Sequence, residues 1–209
     1  MTETASPWRT TIHIILPSHT GAQLLLLPDE SGWSLPVITL PERVWLSEVG
    51  ALRRIFAAEL GMHSAVLRCA WAMEDDAQHL TEAVFVLDRA EATSQAFPGS
   101  SWVNRHALTD LSLTLSQQRP LLESALAELD GQPLPTLRPP WARPGWLAEA
   151  STWVERELTR LGFEALAPVQ QFRSWGISAI LQVSTTQGEV YFKIDEKADP
   201  AEIKVTNGK

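Results

Sequence analysis

Hydrolysis or transfer of phosphate needs converging carboxylates, cations or an activated nucleophile, and this 209-residue chain holds few residues that could supply them. Arg54 and Glu59 stand five residues apart in one apolar-periodic stretch. An Arg and a Glu so placed can anchor a neighbouring loop through charged hydrogen bonds. Glu42, Glu48 and Glu82 are further oxygen donors. Trp33, at the end of a strand pattern, offers either an aromatic packed in place or a surface on which a base could stack. Lys193 lies in a strand pattern, where its stem can follow apolar surface with the ammonium in water, or its charge can meet a phosphate. The histidines, His13, His19, His63, His79 and His106, form no i, i+4 pair and no metal-binding spacing, so they read as surface or packing residues. No G-x-S-x-G elbow marks a nucleophilic serine. Cys69 is the single cysteine, which excludes an intramolecular disulfide and a cysteine-rich metal site. Its apolar strand context reads as a buried, inert thiol.

The elements that must position these residues follow from periodicity. Thr10 to Leu16 and Ala22 to Leu27 read as a strand hairpin, and Asp29 to Gly32 as a second turn, after which Trp33, Leu35 and Val37 alternate. From Val44 the period becomes helical, with Trp45, Val49, Leu52, Phe56 and Leu60 on one stripe and Gly61 at the left-handed end. Ala65 to Met73 and Leu80 to Leu87 read as strands around the turn Glu74-Asp75-Asp76. A second helix is expected over Pro120 to Leu129. Residues 132–145 contain Pro133, Pro135, Pro139, Pro140 and Pro144, which removes backbone donors and marks a boundary. Beyond it, Trp146 to Leu161 reads as an amphipathic helix with Ala150, Val154, Leu158 and Leu161 on its stripe. Ile177 to Val183 and Glu189 to Ile194 read as strands joined at Thr185 to Gly188.

Composition restricts the partners. With 25 acidic residues against 17 basic ones the formal charge is −8, which gives no attraction toward nucleic acid or an anionic membrane. No basic segment leads into an apolar signal core, and no run approaches the length of a membrane span, so a cytoplasmic setting is expected. The 44% hydrophobic content suffices for a buried core.

Trp33-Ser-Leu-Pro36, followed by a helix ending Arg54-Ile-Phe-Ala-Ala-Glu-Leu-Gly-Met62, resembles the Nudix family. The likeness extends more weakly through Trp102 and Val103 to the helix near Leu126. It implies an α/β (α+β) fold, an α/β/α sandwich with a mixed sheet. In that family the box helix carries three glutamates that hold magnesium, a hard cation demanding several oxygen ligands. Here their positions are Ile55, Ala58 and Glu59, the glycines after Trp-x-Leu-Pro are Val37 and Ile38, and two extra residues separate Trp33 from Arg54. The resemblance therefore implies a degenerate box without ordinary metal-dependent hydrolysis. Magnesium enters only under the alternative of an atypical hydrolase of a nucleoside-diphosphate-linked substrate, using Glu59 with Glu82 or Glu48.

Phe172-Arg-Ser-Trp-Gly-Ile-Ser178, Leu181-Gln-Val183, Gly188 and Val190-Tyr-Phe-Lys193 resemble the opening of aminoglycoside-phosphotransferase-like kinases. That likeness implies two strands and a loop, Ser174 to Ser178, covering nucleotide phosphates, with Lys193 pairing to them. No HxD catalytic loop follows before Lys209, so a fragment of a longer protein, or a product whose kinase half was lost, is expected.

The organisation expected is a Nudix-like domain over 1–131, a proline-rich linker over 132–145, and a small helix-plus-antiparallel-strand segment over 146–209. The expected function is a sensor or accessory module for a truncated phosphotransferase, without enzymatic activity. It would bind a nucleotide or other phosphate-containing metabolite, with Trp33, Arg54, Glu59 and Lys193 as binding candidates. No cofactor is expected. Docking to a kinase domain, or a homodimer through the Trp-rich segment Trp141 to Trp153, are the partner expectations; a structural module using that segment is the third reading.

Overall fold

A strand buried on both faces must be apolar on both, and Arg9–Ile15 meets that condition from Ile12 onward, with Ile12, Ile14 and Ile15 all fully enclosed. In the computed structural model, which describes residues 7–61, 64–88, 97–195 and 204–207, this segment is β1, at the centre of the first half. It is followed by β2 (Leu24–Asp29), β3 (Gly32–Ser34), β4 (Val37–Leu40), α1 (Val49–Leu60), β5 (Val66–Asp75) and β6 (Leu80–Leu87). Then come β7 (Ser101–Val103), α2 (Arg105–Asp110) and α3 (Arg119–Leu129). The central sheet has the order β4-β1-β6-β5; β1 and β6 run parallel and the other pairs antiparallel.

Strand alternation assigns the two faces. Ile12 and Ile14 of β1 with Ala83, Phe85 and Leu87 of β6 pack against Val49, Leu52, Phe56 and Leu60 of α1. On the other side Ile15, Val84 and Val86 meet Leu122, Ala125 and Leu126 of α3. The mixed α/β/α sandwich expected from the sequence is the architecture formed.

Several local expectations need correction. The hairpin of the first two strands reduces to one bridge, Pro17 with Leu24, because both edges of β1 are already taken by β4 and β6. The second strand instead joins β3 and β7 in a separate three-stranded sheet. Gly32, at φ 151°, permits this: a Cβ there would lie 2.4 Å from the Ser112 carbonyl oxygen. Leu35 is buried but Val37 is exposed, since the chain changes sheet at Pro36. The first helix begins at Val49, leaving Trp45 outside it and exposed. That indole stacks on Arg43, whose guanidinium lies 4.8 Å from the Trp45 ring, 4.2 Å from Trp8 and 2.8 Å from Glu74.

The second half consists of α4 (Trp146–Leu161), β8 (Gln170–Ser174), β9 (Ser178–Thr185), β10 (Gly188–Asp195) and β11 (Lys204–Asn207), the strands forming an antiparallel sheet in the order β8-β9-β10-β11. Ala150, Val154 and Leu158 of α4 cover Ala179, Leu181, Val183, Val190 and Phe192, whereas Leu161 is exposed beside the Gly162 cap. The proline stretch is not a free tether. Its Trp141, 2% exposed, is part of this core and donates from Nε1 to the Trp175 carbonyl. Trp146 is buried as well, and the half-buried Trp153 packs edge-on to Phe192, so all three tryptophans of this segment contribute to the chain's own core.

Specific polar contacts fasten the halves together. The buried Gln171 amide accepts from the Val66 N–H and donates to the Val66 carbonyl, both at 2.8 Å. Asp88, at the end of β6, accepts from the Gly145 and Leu147 N–H groups and so caps α4 from outside. Gly50 lets α1 approach β8: a Cβ there would stand 2.9 Å from the Phe172 carbonyl oxygen. Gln171→Leu leaves both Val66 groups without partners, at about 1–3 kcal/mol each. Urea unfolding is expected to show a loss of at least about 2 kcal/mol; a loss under about 0.5 kcal/mol would remove this contact from the account.

Candidate functional site

At about 100° per residue, Gly50 and Arg53 lie on the flank of α1 that meets β8, while Ile55 and Glu59 lie on the opposite flank. Arg53 donates to Gln170 at 2.8 Å. Ile55 packs against the core of that face, as does Phe97, so this position is part of an apolar surface. Arg54 and Glu59 are both exposed and share no ion pair among the described residues. The loop-anchoring network expected of them is not formed among the described residues; five residues of helix turn their exposed side chains about 140° apart.

The carboxylates do not converge. Glu48 occupies the exposed N-cap position of α1 without a side-chain cap bond. Glu82 points to the α3 side, where its Oε1 lies 3.1 Å from His13 Nε2, since its neighbour Ala83 faces α1. Among the described residues no three His, Cys, Asp or Glu side chains form a group able to hold a metal ion. His63 and Met62 lie outside the described residues.

Trp33 packs into the α3-side cluster, with its backbone N–H donating to Ser112 and its carbonyl accepting from Thr114. It and the pair Arg54 and Glu59 therefore lie in different layers. Lys193 is far along the chain on β10, where Val190 and Phe192 face α4 and the lysine faces away, 3.0 Å from Asp195. Register places Arg173, Ile180 and Lys193 side by side across β8, β9 and β10. Direct cross-strand neighbours are roughly 5 Å apart, so two cations flank one apolar residue on an open sheet face. Phe172 and Tyr191 form an edge-to-face pair with centroids 5.3 Å apart, and Arg173 lies over Trp175 at 4.9 Å. Thus the structure groups only Lys193 with other residues suited to binding, and those partners were not singled out from sequence.

A cavity of about 490 Å³ lies where the halves meet. Its walls include Val49 at the start of α1, Val66 and Arg68 on β5, Arg138 in the proline stretch, and Trp141 and Trp175. Glu128 of α3 binds both arginines through one oxygen, at 3.0 Å to Arg68 and 2.7 Å to Arg138. Burial holds the Arg68 guanidinium below the usual arginine range; Glu128 opposes the shift and Arg138 adds to it. An arginine inside an otherwise apolar strand was the sequence signal for this place.

Cys69 also lines the cavity, and it is exposed, contrary to the buried thiol expected. Register shifts on both sides of it in β5 break the alternation that would have turned it inward. Its sulfur lies 3.1 Å from the Trp71 carbonyl.

No protein-family model matches the sequence, and no curated protein does. Solved structures similar to it include an oxidoreductase candidate from Sinorhizobium meliloti 1021, at 13% identity and TM-score 0.42, covering 57% of this chain and 38% of that one. Another is the ORF135 protein of E. coli, at 20% identity and TM-score 0.42, covering 65% of this chain and all of that one. MutT from Aliivibrio salmonicida and Vibrio cholerae matches at 14% identity and TM-score 0.41, over 57% of this chain and 98% of that one. This chain thus spans well under half the length of the first. Likenesses this low say nothing about ligand, reaction or partner.

Although part of Cys69 meets solvent, burial of the rest pushes its thiol pKa up, and the Trp71 and Val84 backbone contacts only partly offset this. A raised pKa means less thiolate at neutral pH, and the thiolate is the nucleophile. Iodoacetamide at pH 7 is expected to alkylate Cys69 more slowly in the folded chain than in urea, with the gap closing as pH rises. Mass spectrometry follows the rates, and a folded rate matching the urea rate would contradict the assignment.

Proposed function

We propose that this chain is a Nudix-like module that does not hydrolyse pyrophosphates, joined to a phosphotransferase-like sheet, and that it binds a nucleotide or other phosphate-bearing metabolite as a sensor or accessory unit. One observation carries the binding half of this reading: Lys193 and Arg173 stand in register on the open face of the second sheet, beside the Phe172 and Tyr191 rings. Cations supply phosphate contacts and aromatic faces supply base stacking. The resemblance of Phe172 to Ser178 and Val190 to Lys193 to a kinase opening favours the same face.

The non-hydrolytic half rests on placement. Glu59 lies on α1 and Glu48 at its N-cap, while Glu82 pairs with His13 on the far side of the sheet. A magnesium bridging a diphosphate needs several oxygens at one point. Ile55 and Ala58 offer none. No helix among the described residues is long and apolar enough to cross a membrane.

Isothermal titration with ATP, ADP and UDP-glucose, each with and without magnesium, tests the reading. Saturable binding without release of phosphate or monophosphate is expected, and Lys193→Met should weaken it about tenfold, the size of one charged contact. Absence of binding to all three would overturn the proposal. Magnesium-dependent turnover abolished by Glu59→Gln would replace it with the atypical hydrolase.

A further inference from the structure

The junction cavity has a composition that selects a ligand. Arg68 and Arg138 are its only charged lining residues among those described; the remainder of its wall is largely apolar, with Trp141 and Trp175 as aromatic surfaces. Behind the two guanidinium groups stands one carboxylate, Glu128, only 6% exposed, shared by both through a single oxygen. Two half-buried cations against one anion leave a net positive charge at an apolar wall. Arg68 Nη1 is enclosed and has no hydrogen-bond partner among the described residues. Charge taken out of water without full pairing is costly, and an anion brought nearby offsets that cost. The volume of about 490 Å³ falls in the range of small-molecule sites.

We infer that the junction cavity is a binding site for a small amphipathic anion, a carboxylate with an aliphatic or aromatic body, with its head toward Arg138 and Arg68 and its body along Trp141 and Trp175. This site is separate from the Lys193 face and stands or falls independently of the phosphate-binding reading. Its ligand class differs from a nucleotide: the walls supply few polar groups to meet a ribose or a base edge.

The test uses the full chain and fluorescence of anilinonaphthalene sulfonate, itself an apolar anion, with octanoate and octanol as competitors of equal chain length. Saturable enhancement is expected, with octanoate displacing the dye at least about tenfold better than octanol. Octanoate should also slow alkylation of Cys69, which lines the cavity. Arg138→Met is expected to weaken octanoate about tenfold and leave octanol unchanged. Ser47→Trp, at an exposed position on the rim, should block dye and octanoate together. Lys193→Met should alter neither, which separates this site from the sheet face.

No saturable dye signal, equal competition by octanoate and octanol, or unchanged octanoate affinity in Ser47→Trp would each overturn the assignment. If Arg138→Met does not fold, as judged by circular dichroism, the octanoate-to-octanol ratio in the unaltered chain and the Ser47→Trp result still decide it.

Discussion

Val66 opens the edge strand of the central sheet, and its two backbone polar groups are buried with the Gln171 side chain as their partner. A glutamine amide carries one acceptor and two donors, so it can stand in for a neighbouring strand at a single residue. Here it does so across a separation of 105 residues, and its remaining donor bond goes to Ser174 Oγ. The first residue of that edge is thereby paired by the second body, which fixes β8 and the loop after it against the start of β5. Asp88 acts in the same direction, because it ends β6 and caps α4.

That arrangement separates what the Nudix resemblance preserves from what it does not. Trp33, Leu35 and the helix ending at Gly61 hold positions set by packing, and the packing is intact. The positions that the resemblance matches to box acids, Ile55, Ala58 and Glu59, lie on an outward flank of α1 where Ala58 and Glu59 are exposed. With Ile55 seated against the core, that flank makes apolar contact at a position where a carboxylate would need water or a cation. The other flank is fixed by the approach of β8 at Gly50. Packing thus claims Gly50 and Arg53 on one flank and Ile55 on the other, while Arg54, Ala58 and Glu59 stay in solvent.

Much of the fold was legible because its signals are local. The helix Trp146–Leu161 and its Gly162 cap follow from a 3.6-residue stripe, and β6 from an apolar run buried on both faces. Strand pairing was less legible: nothing local in Ala22 to Leu27 says that β2 must pair with β3 and β7 once β1 is occupied on both edges. Cys69 was misread because alternation fails at a bulge, and bulges leave little trace in sequence. The candidate site residues were chosen from motif positions, and motifs record spacing along the chain. Arg68 and Arg138 meet through Glu128, which lies 60 residues from the first and 10 from the second, and no spacing rule joins them.

The two binding surfaces share one loop. Trp175 lines the cavity, its carbonyl accepts from Trp141, and its ring carries Arg173, the cation that accompanies Lys193 on the sheet face. The cavity walls come from both bodies, α1 and β5 from one, the proline stretch and the β8 to β9 loop from the other. An occupant that touches both therefore adds its binding free energy to the junction, and Trp175 is a residue through which it could reach Arg173. Coupling of this kind is reciprocal: if an anion in the cavity changes affinity at the sheet face, a ligand on the sheet face changes affinity in the cavity by the same factor. The physical requirement is only that Trp175 hold different positions in the filled and empty states, since a ligand with equal affinity for both arrangements would shift nothing.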